Sequence, residues 1–230
     1  MKLSIIIPIY NEKDTILEIL KKIEAVKLSV DKEVIIVDDY SIDGTRDVLG
    51  TLDKSKYTLV LKDKNGGKGS AIKAGIAVAT GDMVIFQDAD LEYDPEDYPA
   101  MIQPVLDGRT EAVLGVRHDN REKLRPLYYR ISSLGNNVIT FLTNVLFWNN
   151  ASEYEGCYKV FRKSLLDKIT IHTDGFAYDN ELVCKVLKRG IKTVDVPIRY
   201  YPRNYASGKK IKLKDGFKIL WTIVRYRFVD

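Results

Sequence analysis

The chain has 230 residues, 45% of them hydrophobic and 30% charged, with a formal net charge of +4. That length allows one large domain or two small ones, and that balance describes a globular protein with a sizeable core. Two cysteines, Cys157 and Cys184, are too few for a secreted disulfide framework and indicate a reducing compartment. With no CxxC and with His118 and His172 standing alone, a zinc site is excluded.

The N-terminal MKLSIIIPIYNE turns polar too quickly for a signal peptide. Within it, Leu3–Ile9 reads as a strand, followed by helical spacing over Ile16–Val26. Glu33–Val37 is a strand, and Asp43 is placed to cap a helix through Leu52. Tyr57–Leu61 is a strand. Gly69–Ala79 is a helix rich in small residues, closed by Gly81. Met83–Gln87 is a strand, Pro95–Leu106 a helix and Ala112–Val116 a strand. This rhythm, with continuous Val/Ile runs in the strands, predicts a mostly parallel sheet covered by helices on both faces.

Beyond Val116, Leu127–Phe147 is a long, largely apolar helical stretch. Tyr158–Phe161 reads as a strand, Tyr178–Lys188 as a helix stopped by Gly190, Thr193–Ile198 as a strand and Asp215–Phe228 as a helix. No run reaches the ~20 apolar residues of a membrane span. No repeat or linker divides the chain, so a single domain over 1–230 is expected, with halves 1–117 and 118–230. From Pro197 to Asp230 nine Lys/Arg face two Asp, a local +7 that leaves −3 for the rest. A basic tail on a slightly acidic body suits an anionic partner or surface. Because the basic residues are confined to that tail, nucleic acid is not an expected partner.

In open α/β sheets, ligands bind outside the carboxyl ends of the strands. Three strands end there in polar clusters: PIYNE (Pro8–Glu12), VDD (Val37–Asp39) and QDADLE (Gln87–Glu92). In an extended strand end Asp88 and Asp90 face one side, and Glu92 can join them. Three such acids repel one another unless a hard cation, Mg²⁺ or Mn²⁺, takes them as oxygen ligands together with substrate phosphates. A solvated loop or a helix cap before Pro95 is the plainer alternative. Asp38 or Asp39 can accept hydrogen bonds from a base or ribose. NGGKGSAIKAG (Asn65–Gly75) fails the Walker pattern, because Gly69 follows Lys68. It remains a Gly-rich turn that either meets an anion through backbone N–H groups, with Lys68 as the cation, or packs a helix closely.

In order and spacing, SIIIPIYNE, EVIIVDDYSIDGT, NGGKGSAIKAG and FQDADLEYDPED resemble the nucleotide-binding half of inverting glycosyltransferases of family 2, which have the GT-A fold. CYKVFRKSLL and YYPRNYASGKKIKLKDGF resemble the dolichol- and polyprenyl-phosphate hexose synthases of that family. The resemblance implies that Pro8, Tyr10 and Glu12 line the nucleotide pocket and that Val37 and Asp39 contact base and ribose. It implies that Asp88, Ala89 and Asp90 lie along the diphosphate and metal. Glu92 falls where the mannose synthases usually have Gln as a metal ligand. Arg117 is expected at a phosphate of donor or acceptor, and Arg203 and Lys209 over the diphosphate. Arg130 and Ser133 are candidates for the acceptor phosphate.

The implied reaction displaces a nucleoside diphosphate from a sugar anomeric carbon, in favour of a polyprenyl phosphate. Guanine and uracil have no readable signature, so a GDP-mannose or a UDP-glucose type of donor fits equally. An anionic lipid phosphate needs no general base, whereas a hydroxyl acceptor does, and FAYDNEL offers Asp179 and Glu181. A hydroxyl acceptor in glycan assembly, or a non-catalytic nucleotide-sugar-binding module, are the alternatives. Phe217, Trp221, Val224 and Phe228 beside Lys218, Arg225 and Arg227 compose an interfacial amphipathic helix. The expected location is the cytoplasm, peripheral on a membrane, with room for a membrane-anchoring partner protein.

Overall fold

The computed structural model describes the backbone at residues 1–118, 127–202 and 213–229, and side chains at 1–117, 133–202 and 216–229. β1 (Lys2–Ile9), α1 (Ile16–Ala25), β2 (Asp31–Asp38), α2 (Thr45–Gly50) and β3 (Tyr57–Leu61) come first. α3 (Lys68–Val78), β4 (Met83–Phe86), a 3₁₀ turn (Pro95–Asp97), α4 (Tyr98–Leu106) and β5 (Ala112–His118) follow. Then come α5 (Leu127–Phe147), β6 (Lys159–Arg162), α6 (Lys163–Leu166), α7 (Tyr178–Lys188), β7 (Val194–Arg199) and α8 (Leu213–Phe228).

The strands form a seven-stranded sheet in the order β3-β2-β1-β4-β6-β5-β7. β1 pairs in parallel with β2 and β4, β2 with β3, and β5 with β7. β6 is inserted antiparallel between β4 and β5. The mostly parallel sheet expected from the alternating pattern is therefore present. Ile5, Ile6 and Ile7 are all fully buried. Ile5 and Ile7 join the core with α1 and α4, and Ile6 joins the opposite core with α3. Covering on both faces is the reason these strands read as unbroken apolar runs. A third cluster joins α5, α7 and α8 through Ile139, Phe147, Val183, Ile219 and Ile223.

Two local expectations are corrected. α2 starts at Thr45 behind Gly44, whose φ of 94° only glycine adopts easily, and it ends at Gly50 rather than Leu52. Asp43 sits one residue outside the cap position and accepts the Thr45 N–H at 2.9 Å. β4 ends at Phe86 rather than Gln87, although the Gln87 N–H still donates to the Ile6 carbonyl at 2.9 Å; the Gln87 side chain accepts the hydroxyls of Tyr98 and Tyr158, each at 2.5 Å. Among the described residues no helix is long and apolar enough to cross a membrane.

Candidate active site

β1 lies between β2 and β4, so consecutive connections leave it toward opposite halves of the sheet. Such a switch point opens a crevice at the carboxyl edge. Three non-glycine residues with left-handed backbone follow the ends of these strands: Asn11 (φ 56°), Tyr40 (φ 68°) and Leu91 (φ 62°). Each such residue costs about 1–3 kcal/mol and persists only where its surroundings hold it, commonly at functional sites. Asn11 is held by Ser41 Oγ at its N–H and by the Ile42 N–H at its Oδ1, both 2.9 Å.

Pro8, Tyr10 and Glu12 are half-buried at the end of β1. Glu12 takes the Thr15 hydroxyl at 3.0 Å, and its N–H donates to Thr45 Oγ1. The Val37 side chain is wholly buried beneath α3 and serves the core, so it does not line an open pocket. Asp38 is buried and held by Arg46 Nε at 2.5 Å, while the Arg46 guanidinium stacks on Tyr40 at 4.9 Å. Asp39 is 3% exposed and is paired with Lys62. It also accepts Gly66 N–H at 3.0 Å and Gly67 N–H at 2.7 Å. The anion expected at the Gly-rich turn is thus the chain's own Asp39. The close-packing alternative holds for α3: a Cβ on Gly69 would lie 2.5 Å from the Thr173 carbonyl oxygen.

Asp88 to Asp90 do not continue the strand. Residues 89–90 form a turn and Asp90 Oδ1 accepts the Glu92 N–H at 3.2 Å, so the same-side argument for an extended segment does not apply. Asp88 pairs with Lys68 Nζ at 2.6 Å. Burial opposes the Lys68 charge, but the Asp88 carboxylate, with Cys157 and Tyr178 beside it, offsets this and holds the ammonium above its ordinary range. Ala89 is buried. Glu92 faces Tyr200 instead, accepting its hydroxyl at 3.2 Å, while the Glu92 carbonyl takes the Tyr201 N–H at 2.8 Å. Among the described residues no three His, Cys, Asp or Glu converge as a metal cluster. The expected third ligand, Glu92, is drawn to the end of β7. Asp88 and Asp90 still offer the hard oxygen donors that Mg²⁺ takes in ones and twos beside substrate phosphates, so the residues fit such an ion.

Arg117, at the end of β5, is gripped by Glu153: Nε reaches Oε1 at 2.7 Å and the backbone N–H reaches Oε2 at 3.0 Å. Its guanidinium stacks on Tyr200 at 5.0 Å. Ser133 is half-buried in α5. The Arg130 side chain and all of Arg203 and Lys209 lie outside the described residues.

The segment 172–175 packs on the start of α3, where Ser70 N–H donates to the Asp174 carbonyl at 3.1 Å. This brings the start of α7 to the crevice. Asp179 is paired with Lys159, which is 1% exposed and also donates to the Gly156 carbonyl. Burial raises the Asp179 carboxyl above its ordinary range, and Lys159 only partly opposes this. Among the described residues Asp179 Oδ1 is buried without a hydrogen-bond partner. Asp88 and Lys68 lie near enough to act on its charge. Glu181 is not available as a base. It is fully buried and accepts the His172 and Thr173 N–H groups at 2.8 and 2.7 Å, with Lys185 at 2.9 Å.

Lys62, Glu153 and Lys159 escaped the sequence reading. Lys159 had a signal, since a lysine inside the apolar run of CYKVF must find a buried partner. Glu153 and Lys62 had none, because their partners are 36 and 23 residues away.

A doubly covered parallel sheet with carboxylates and a paired lysine at its switch point is the frame of a nucleotide-handling α/β enzyme. Residues 4–170 match the profile of Glycosyl transferase family 2, and the chain belongs to that family of glycosyltransferases. It is 29% identical over 98% of its length to a dolichol-phosphate mannosyltransferase of Pyrococcus furiosus. It is likewise 29% identical over 90% of its length to an undecaprenyl-phosphate 4-deoxy-4-formamido-L-arabinose transferase of Edwardsiella ictaluri. The chain spans 63% and 62% of these two relatives' own lengths. Among solved structures, glucosyl-3-phosphoglycerate synthase of Mycobacterium tuberculosis, in complex with Mg²⁺ and UDP, superposes with a TM-score of 0.76 at 19% identity. That match covers all of this chain and 80% of the other, and it shows the GT-A fold. The same enzyme was also crystallised with Mn²⁺, UDP and phosphoglyceric acid.

Proposed function

We propose that the chain, as one GT-A domain over residues 1–230, transfers a hexose from a nucleoside-diphosphate sugar of the GDP-mannose or UDP-glucose type to a polyprenyl phosphate, with inversion. One observation carries the reading: Asp88 and Asp90 stand at the switch-point edge of β4, with the Lys68 ammonium 2.6 Å from Asp88. Oxygen donors and a cation together at this edge support a diphosphate site there, since ligands bind outside the carboxyl ends of strands in such sheets. The names of the two bacterial and archaeal relatives support the lipid-phosphate acceptor.

In this reading Asp88 and Asp90 hold Mg²⁺ or Mn²⁺, as the solved neighbours' complexes support. When bound, such an ion supplies positive charge against the departing diphosphate. Lys68 adds a point charge beside the same phosphates. Arg117, whose Nε–Nη2 edge is held by Glu153 and whose face lies on Tyr200, brings its remaining Nη1 side and its positive charge to the acceptor phosphate. The acceptor oxygen is already anionic, so it attacks the anomeric carbon without surrendering a proton. The nucleoside diphosphate leaves from the opposite face.

A second reading has its own observation. Asp179 has a buried oxygen without a partner among the described residues and a raised pKa, the properties of a general base for a hydroxyl acceptor.

A partition assay separates the two. Labelled UDP- and GDP-sugars are incubated with the chain, Mn²⁺ and a short polyprenyl phosphate, then extracted into organic solvent. Organic label that needs both metal and lipid phosphate is the expected result, and it names the donor. Donor binding without organic label would overturn the lipid reading and move attention to Asp179.

A further inference from the structure

The segment Glu153–Cys157 joins the two phosphate positions of the proposed reaction. At one end Glu153 grips Arg117. At the other the Cys157 thiol lies 3.7 Å from the carbonyl of Phe86, the last residue of β4 and two residues before Asp88. Glu155 stands in the middle, two residues and so at most about 7 Å of chain from either end. Tyr154 turns into the cluster of α5, α7 and α8, where its hydroxyl donates to Asn144 Oδ1 at 2.7 Å. Glu155 reaches instead to the start of α7, which borders the crevice, and meets Asn180 there. A displacement at the anomeric carbon sets the sugar between the donor and acceptor phosphates, which is where Glu155 lies.

The charged groups around it are paired: Arg117 with Glu153, Lys68 with Asp88, and Lys159 with Asp179. Glu155 takes a neutral partner. Asn180, 4% exposed, donates its Nδ2 hydrogen to Glu155 Oε1 at 2.7 Å. That bond orients the carboxylate and leaves Oε2 without a hydrogen bond among the described residues. Asp179 is the residue before Asn180, and its Oδ1 is likewise without a partner there. This wall of the crevice therefore carries a surplus negative charge and two acceptor oxygens that the protein leaves unsatisfied. Burial raises the Glu155 carboxyl above its ordinary range and the Asp179 charge adds to this, so a hydrogen-bond donor arriving from a ligand relieves a cost. An anionic lipid acceptor brings no proton to remove, so with that acceptor these oxygens have no work as a base.

We propose that Glu155 is a specificity-determining residue, whose carboxylate accepts a hydroxyl hydrogen of the transferred sugar, beside Asp179, and repels a sugar that itself carries a carboxylate. The crevice thus takes neutral hexoses and turns away uronates. The proposal rests on the nucleotide-sugar donor of the function proposed above, and it is independent of the acceptor.

Calorimetry with Mn²⁺ and no acceptor tests it. The probes are UDP, UDP-glucose, GDP and GDP-mannose, followed by the uronate of the base that binds, UDP-glucuronate or GDP-mannuronate. Glu155→Gln keeps an oxygen for Asn180 and puts an N–H donor where the second acceptor was, so the thermal midpoint should stay at the wild-type value. The variant is expected to bind the free nucleoside diphosphate as the wild type does and to bind the hexose donor about tenfold or more weakly. Its affinity for the uronate donor should rise, because a like charge has been removed. A purely structural role for Glu155 would move free diphosphate and donor together, and an equal loss for both overturns the proposal. So does an unchanged affinity for the hexose donor, or a wild type that binds hexose and uronate donors alike. Failure of the lipid reading shows separately, as an empty organic phase in the partition assay with this calorimetry intact. A wild type that binds none of the four nucleotides overturns both.

Discussion

Glu181 and Asp179 are two residues apart on α7, and their surroundings give them opposite properties. Burial alone would raise the Glu181 carboxyl, but bonds from Thr173, His172 and Lys185 bring it from an ordinary 4.5 down to about 2. Between those values the unfolded chain holds a proton that the native chain lacks, so stability rises with pH there. That contribution, on the order of 3 kcal/mol, is complete above about pH 5 and is lost as pH falls toward 2. Glu181→Gln is therefore expected to flatten the acid limb of stability, read as urea midpoints across that range. The Arg117–Glu153 pair carries a second expectation. Glu153→Ala leaves a half-buried guanidinium without its partner, which costs about 3–5 kcal/mol when such a pair is fully buried. The variant should lose somewhat less than this in chemical denaturation and lose turnover with it. Asp90→Ala should abolish turnover and Mn²⁺-dependent donor binding while the fold remains. Titration of Mn²⁺ and donor checks this, and wild-type affinity would remove Asp90 from the metal site.

At the scale of elements, α3 is where sequence and packing meet most closely. Its small residues let it lie against β1, and a Cβ on Gly75 would come within 2.4 Å of Ile6 Cγ2. Gly75→Ala is expected to destabilise by about 1–3 kcal/mol through overpacking. Gly135 in α5 has nothing within 4 Å of its hypothetical Cβ. There the same change should stabilise by about 0.5–1 kcal/mol, since it only removes glycine's unfolded-state freedom. Thermal midpoints of the two variants should therefore move in opposite directions. The NGGKG stretch opens this same helix, and it admitted two sequence readings. The close-packed turn holds because the Gly66 and Gly67 N–H groups are already spent on Asp39.

For the whole molecule, the elements and their order were legible from periodicity, since doubly buried strands leave continuous apolar runs and helices leave their own spacing. Carboxylates at the ends of β1, β2 and β4 were legible for the same reason, because a parallel sheet delivers consecutive strand ends to one edge. Which partner each carboxylate takes was not. Asp39 finds Lys62, Arg117 finds Glu153, Asp179 finds Lys159 and Glu92 finds Tyr200 across 20 to 108 residues of chain. No local pattern encodes a pairing at that separation. The sequence by itself determined the fold class, the family and the edge at which the chemistry lies, since these follow from hydrophobic period and short motifs. Only the tertiary structure decided that Glu181 is a structural anchor and that Asp179 is brought to Lys68 and Asp88. Each of these depends on which buried groups satisfy one another once distant segments pack.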